Sequence, residues 1–220
     1  MKGMARMDQI HKKWLGTKLG EHCVTHLINH RFDAHLVQTP QAAVNLILDW
    51  TAPFERFGFG GSDTINALGI KERLKDMGKR IFDHNEEGLS FETSLEYRKK
   101  QSNCDCFLCS ANALSQTGEI VNMDGIGNRI NAMTFGPKKV IIVAGINKVT
   151  QDLDSAIRRI REVAAPMRAK SLGADTPCAL TGRCADCNAP MRICNITSIL
   201  HRKPMLTDIS IIVVNEEMGY

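Results

Sequence analysis

Four cysteines in the C-terminal part of the chain have a spacing typical of metal ligands. They are Cys178, Cys184, Cys187 and Cys194, and the segment around them is polar and contains prolines and a glycine. A Cys-x2-Cys pair flanked by two further thiols can surround a zinc ion or an iron–sulfur cluster. The spacing matches neither a zinc ribbon nor a bacterial ferredoxin, so the sequence predicts a metal site here and leaves the metal's identity open. Ordinary buried thiols are the alternative.

A glycine-rich turn offers a second kind of chemistry. The run Gly60, Gly61, Ser62, Asp63 and Thr64 follows an apolar strand pattern and leads into a helical one. Backbone N–H groups in such a turn can bind a phosphate or carboxylate, and the Ser62 hydroxyl can add a hydrogen bond. The alternative is a tight turn in which Ser62 only caps the helix.

A second glycine-rich segment, residues 124–129, follows another strand pattern. Gly125 and Gly127 allow the backbone to approach a ligand, and Arg129 can grip a carboxylate or phosphate with two hydrogen bonds. Lys148 follows a third strand and can add positive charge. Because the carboxyl ends of parallel strands meet at one edge of a sheet, these residues are predicted to share a ligand site.

These candidate residues need a scaffold, and the chain alternates between strand-like and helix-like segments. This alternation predicts an α/β fold with a mixed or parallel sheet covered by helices on both faces. We predict one domain over residues 1–220, with a cysteine-rich loop at about 175–195 inserted before a final strand at 209–214. The cysteines of a further predicted strand, residues 104–109, are expected to be core thiols, with Cys104 and Cys106 facing one side and Cys109 the most exposed of the three.

Composition narrows the classes of function. With 220 residues, a net charge of +4 and 5% aromatic residues, the chain lacks the basic, aromatic-rich character of a nucleic-acid binder. Its longest apolar runs have the length of strands, so no membrane insertion is expected. The first residues lack the apolar stretch of a secretion signal, which predicts a cytoplasmic protein with reduced thiols.

Several segments together resemble the LUD-domain, or lactate-utilisation, family in its short stand-alone form. They are residues 60–64, Ser110-Ala111-Asn112-Ala113 with Thr117-Gly118, residues 124–129, residues 136–140 leading to Asn147-Lys148, and the cysteine loop. The resemblance covers nearly the whole chain from about residue 8. It implies a fold similar to the sugar-phosphate isomerase and coenzyme A transferase superfamily, and a role beside iron–sulfur partners in oxidising lactate to pyruvate.

The chain departs from its wider relatives in two ways. It lacks the Cys-x2-Cys-x2-Cys runs of the longer, cluster-bearing members. Where the transferases have a glutamate nucleophile, the nearest match is Ala111, which cannot form an acyl intermediate.

The leading hypothesis is therefore a lactate-utilisation-type protein that binds a small organic acid or phosphorylated ligand. The predicted ligand residues are Gly60, Gly61, Ser62, Thr64, Asn112, Gly125, Gly127, Asn128, Arg129 and Lys148. Electrons would pass to a metal at the cysteines or to a redox partner protein.

One alternative is a non-redox isomerase or hydrolase of a sugar phosphate, with Asp124 as catalytic general base. Another is a zinc-stapled structural or regulatory subunit. Whether the chain is an enzyme alone, and whether it forms a homo-oligomer, stays open.

Overall fold

Ten strands and nine helices make up the described part of the chain. The structure is a computed structural model that describes residues 2–220, without the side chains of residues 2–6 and 8. The strands are β1 (Asp33–Val37), β2 (Arg56–Phe59), β3 (Arg80–Asp83), β4 (Cys106–Cys109), β5 (Ala113–Ser115), β6 (Ile120–Asp124), β7 (Lys139–Gly145), β8 (Val149–Thr150), β9 (Ile196–Leu200) and β10 (Asp208–Val214). The helices are α1 (Lys2–Asn29), α2 (Pro40–Thr51), α3 (Asp63–Ala67), α4 (Ile70–Asp76), α5 (Phe91–Gln101), α6 (Asn128–Thr134), α7 (Leu153–Arg159), α8 (Ala165–Ser171) and α9 (Pro177–Thr181).

The main sheet has six parallel strands in the order β1-β10-β7-β4-β2-β3. Its central strands are continuous apolar runs because helices cover both faces and each side chain is buried. In β7, residues Val140–Ala144 have no solvent exposure. The predicted α/β fold, with a parallel sheet between helices, is therefore confirmed.

Local sequence signals explain several of the helix boundaries. The Thr39 hydroxyl accepts a hydrogen bond from the Ala42 N–H, and Pro40 occupies the first turn of α2. The Asp152 carboxylate caps α7 through the Ser155 N–H in the same manner. A π-helical turn, Ile160–Ala164, joins α7 to α8, and such turns often occur beside functional sites.

A second, four-stranded sheet lies beside the main one, in the order β8-β5-β6-β9. Strand β9 pairs antiparallel with β6, and Ile196 lies opposite Asp124. The cysteine-rich segment therefore leads into β9, a strand that the sequence analysis did not predict, and the predicted final strand follows it as β10. The segment is also not all loop, since it contains the short helix α9.

The thiols around β4 are all buried. Cys106 packs with Ile141 on one face of the sheet, and Cys109 packs with Ile142 on the other. Cys104 lies before β4 and joins the same cluster as Cys109, so the prediction that it shares a face with Cys106 is wrong. Cys109 is 0% exposed, contrary to its expected exposure, because β4 is an interior strand of the sheet.

The helices were compared with the length and hydropathy of membrane-spanning helices. Of the helices in the described residues, none combines the length and the apolar character that a bilayer crossing requires.

Candidate functional site

A cavity of about 260 Å³ opens where the carboxyl ends of β2, β4 and β7 of the main sheet meet the carboxyl end of β6 of the second sheet. The π-helical turn and the start of α8 form another side of it, through Ile160, Ala164 and Ala165. This position agrees with the general rule that open α/β sheets bind ligands beyond the carboxyl ends of their strands.

The cavity brings together nearly all the residues predicted to bind a ligand. Its lining includes Gly60, Gly61, Ser62, Thr64, Asn112, Asp124, Gly125, Asn128, Arg129 and Lys148. Gly127 is the exception. It has a φ of 96° and starts α6, so its glycine serves the backbone turn and not the cavity lining.

The Gly60–Thr64 turn has features of both alternatives predicted for it, a ligand-binding turn and a helix cap. Gly61 has a left-handed φ of 64°, which favours glycine. The Ser62 hydroxyl accepts a hydrogen bond from the Ile65 N–H and caps α3. Ser62 therefore serves the fold as well as lining the cavity. Thr64 is fully buried, and its hydroxyl donates to the Met218 carbonyl at 3.1 Å.

Asp124 and Arg129 form a compact ion pair between the two sheets. The Arg129 Nε lies 3.7 Å from an Asp124 carboxylate oxygen, and both side chains are largely buried. Asp124 also accepts hydrogen bonds from the backbone N–H groups of Ile126 and Ile130. Each oxygen of the proposed general base thus already has a protein donor, so Asp124 fixes the turn into α6.

Arg129 also reaches two neutral acceptors. Its Nη2 donates to the Asn112 side-chain oxygen at 2.9 Å and to the Met123 carbonyl at 2.7 Å. Asn112 in turn accepts from the Met123 N–H. Arg129 therefore ties together the loop after β4 and the end of β6.

Lys148 is the most deeply buried cation that lines the cavity. The residue is 4% exposed, and its Nζ lies 2.8 Å from the Thr64 hydroxyl and 2.9 Å from the Ser110 hydroxyl. Burial, reinforced by the positive charges of Arg159 and Arg129, lowers the pKa of Lys148 to about 7.

Arg98 lines the same cavity and was missed by the sequence reasoning. It lies on α5 in the basic run Arg98-Lys99-Lys100, which is typical of a solvated helix end. Its Nη1 donates to the Ser94 hydroxyl, but its Nε is buried and has no hydrogen-bond partner among the described residues. Burial lowers the pKa of Arg98.

Arg168 and His84 were also missed, because neither follows a recognisable motif. Arg168, on α8, contacts Asp63 at 3.4 Å across the cavity. The His84 Nδ1 lies 2.8 Å from the Gln101 amide nitrogen, and burial lowers the pKa of His84, which favours a neutral ring. The buried Gln101 also contacts the carbonyls of Phe59 and Phe82 and so holds this corner together.

The four C-terminal cysteines lie in different surroundings. Cys178, on α9, packs against Ala169, Ala174 and Ala179, and Cys184 is exposed. Cys184 and Cys194 line a second cavity of about 140 Å³, and Cys194 lines the main cavity as well.

The thiols do not form a metal cage in this arrangement. All eight cysteines are free thiols, and within the described residues no three His, Cys, Asp or Glu side chains converge as ligands of one ion. The donors as placed therefore do not fit a zinc ion or an iron–sulfur cluster. The metal site at Cys178, Cys184, Cys187 and Cys194 stays a prediction.

Comparison with known proteins assigns the family. The model of the LUD domain matches residues 20–214, nearly the whole chain. The chain belongs to the LUD-domain family. The predicted resemblance is thereby confirmed, and membership implies a lactate-utilisation-type function. Among curated proteins, none matches this sequence significantly.

A solved structure supports the fold. The crystal structure of a DUF162 family protein from Deinococcus radiodurans is similar to this chain, with a TM-score of 0.53 and 14% sequence identity. The match covers 90% of this chain and 98% of that one. At this identity the likeness concerns the fold alone.

Proposed function

We propose that this LUD-domain protein binds a small organic acid, or a small phosphorylated compound, in the cavity between its two sheets. The proposal rests on the surroundings of Arg98. Its buried Nε has no partner among the described residues, whereas a buried polar group is normally hydrogen-bonded. Arg98 lines the cavity, so a ligand carboxylate or phosphate could accept from its guanidinium, and a small shift of the side chain would give the Nε its missing acceptor.

The charge distribution of the cavity supports an anionic ligand. Arg129 is paired with Asp124, and Arg168 is paired with Asp63. These pairs leave the charge of Arg98 without a carboxylate at ion-pair distance among the described residues. A charge-assisted hydrogen bond to a ligand anion in such a site contributes more than one to a neutral group.

Within the lactate-utilisation role, we propose that the organic acid is lactate or its oxidation product. The volume of about 260 Å³ is ample for a three-carbon acid. The proposed role is a component of lactate-to-pyruvate oxidation, with electrons passed to a partner protein, because the side chains that line the cavity cannot accept an electron pair themselves.

Calorimetric titration with L-lactate, pyruvate and inorganic phosphate tests the proposal. We expect saturable binding of at least one anion, and we expect Arg98→Gln to weaken it about tenfold or more. Arg73→Gln is the matched control, since Arg73 is exposed on α4 and outside the cavity. Equal affinity in Arg98→Gln and wild type, or no binding of any of the three anions, would show the proposal to be wrong.

A further inference from the structure

A neutral lysine amine inside an anion-binding cavity is a nucleophile for carbonyl carbon. We propose that Lys148 forms a covalent imine with a 2-oxo acid bound in the cavity. The inference rests on the proposed function, because the cavity must first hold the acid by its carboxylate. The ligand class is then an acid with a carbonyl next to its carboxylate.

The hydrogen bonds around Lys148 match a neutral amine. The Thr64 hydroxyl donates its proton to the Met218 carbonyl, and the Ser110 hydroxyl donates to the Ala111 carbonyl. Both hydroxyl oxygens can therefore only accept from Lys148 Nζ, at 2.8 and 2.9 Å. A neutral amine has two N–H donors and one lone pair, so the two hydroxyls use both donors and leave the lone pair free.

An ammonium form would be poorly satisfied at this position. It has three N–H donors, and two acceptors contact it among the residues that the structure describes. Lys148 is 4% exposed and therefore has little access to bulk water. Desolvation disfavours its charged form, which agrees with the lowered pKa of about 7.

The backbone around Lys148 holds the amine in place. Lys148 lies in a 3-10 turn directly after β7, and residues 216–219 pack beside it. The Asn147 side chain contacts both the Met218 N–H and the Gly219 carbonyl at 3.0 Å. A side chain at position 219 would approach Lys148 Nζ to 3.4 Å, which shows how closely this segment packs.

The reaction balances without an oxidant or a reductant. The Lys148 lone pair adds to the carbonyl carbon, the C–N bond forms, and the amine gives a proton to the carbonyl oxygen. The resulting hydroxyl then leaves as water with a second proton from the nitrogen, which produces the imine. One water is released, and the bound carboxylate is unchanged.

The test is reductive trapping with pyruvate as the probe. Wild-type protein is incubated with pyruvate and sodium borohydride near pH 7, and the adduct is located by peptide mass spectrometry. We expect one carboxyethyl group, on Lys148, and at least a tenfold loss of labelling in Lys148→Arg. Lys170→Arg is the matched control, because Lys170 is exposed on α8 and outside the cavity, and it should label like wild type.

A comparison of pyruvate with L-lactate separates this inference from the proposed function. The two acids share a carboxylate, but lactate has no carbonyl to form an imine. If both bind and borohydride traps nothing at Lys148, the covalent role is wrong and the anion site stands. If neither acid binds, the covalent role is wrong, and the proposed function fails as well when inorganic phosphate does not bind. Labelling spread over surface lysines without preference for Lys148 would also overturn the inference. Mapping on wild-type protein gives this answer even if a Lys148 variant does not fold.

Discussion

Two groups of residues that line the cavity differ in how their charges are compensated. In one group of lining residues, at the second sheet, Asp124 and Arg129 are paired, and they make further hydrogen bonds with backbone groups and with the Asn112 side chain. In a second group of lining residues, Arg98 keeps an unpartnered Nε and Lys148 contacts only hydroxyls among the described residues. We call these the paired group and the unpaired group.

This difference separates the residues that hold the site from those available to a ligand. A satisfied ion pair has little left to offer a ligand, and breaking it exposes an uncompensated partner. An unpaired, desolvated cation such as Arg98 weakens the fold on its own and recovers that energy when an anion binds. Variants of the two groups should therefore have opposite effects on stability and on binding.

The largest expected effect is on the paired group. Arg129→Met leaves the Asp124 carboxylate, the Asn112 oxygen and the Met123 carbonyl without their shared donor. We expect the free energy of unfolding to fall by about 3 kcal/mol, measured by chemical denaturation. The contrasting variant Arg98→Gln should stay within about 1 kcal/mol of wild type. A larger loss in Arg98→Gln than in Arg129→Met would reverse the assignment of the two groups.

The next effect is the pH dependence caused by Lys148. Its pKa is lowered from 10.5 to about 7, so the folded protein gives up a proton that the unfolded chain keeps between these values. The penalty for burying the amine is therefore greatest below pH 7 and fades as the pH rises towards 10.5. The charged and titratable groups that act on the amine are Arg159, Arg129, Asp63 and Cys109.

Lys148→Met removes this penalty. We expect the variant to be more stable than wild type at pH 6, and its advantage to shrink by about 1.4 kcal/mol per pH unit above pH 7. Parallel denaturation curves at pH 6, 7, 8 and 9 measure the difference, which cancels the titration of other groups. A difference independent of pH would mean that the folded protein keeps Lys148 protonated.

A smaller effect is expected for Asp124→Asn, which keeps the shape of the side chain and removes its charge. Arg129 retains its contacts with Asn112 and Met123, so we expect a loss of about 1 kcal/mol in stability and an anion affinity within threefold of wild type. If the alternative isomerase or hydrolase function is correct, the same variant abolishes turnover of a sugar phosphate while it still binds the substrate.

The smallest effect is expected away from both groups, at Cys184. This thiol is exposed, so Cys184→Ser should change the free energy of unfolding by less than about 0.5 kcal/mol. Analysis of zinc, iron and acid-labile sulfide in protein purified without oxygen provides the companion measurement. Joint loss of a metal and of stability in the variant would establish the metal site at the four cysteines.

The strands of the main sheet were predictable because each has its own apolar sequence pattern. Runs such as Val140–Ala144 are apolar at every position, and a continuous apolar run of this length is typical of a buried strand. In the second sheet, β6 had a strand pattern but its partners had none. Strands β5 and β8 have three and two residues, and β9 finds its partner β6 only after the chain has passed through α6–α9.

The candidate site likewise contains residues that were predictable from the sequence and residues that were not. Glycine-rich turns at strand ends identified Gly60–Thr64 and the segment around Asp124, because sheet topology brings such ends together. Arg98 and Arg168 come from helices whose sequences look like ordinary solvated surfaces. Their approach to the cavity depends on how α5 and α8 pack, which no local pattern encodes.

The position of Cys194 provides a chemical reporter for the cavity. Its side chain borders both cavities, whereas Cys23, Cys104, Cys106 and Cys109 are buried in the core. A small alkylating reagent should therefore modify Cys194 and leave the core thiols intact. Because burial raises the pKa of Cys194, the reaction is best followed at mildly alkaline pH. A ligand that fills the main cavity would slow alkylation of the Cys194 peptide, so occupancy can be measured even before any turnover assay exists.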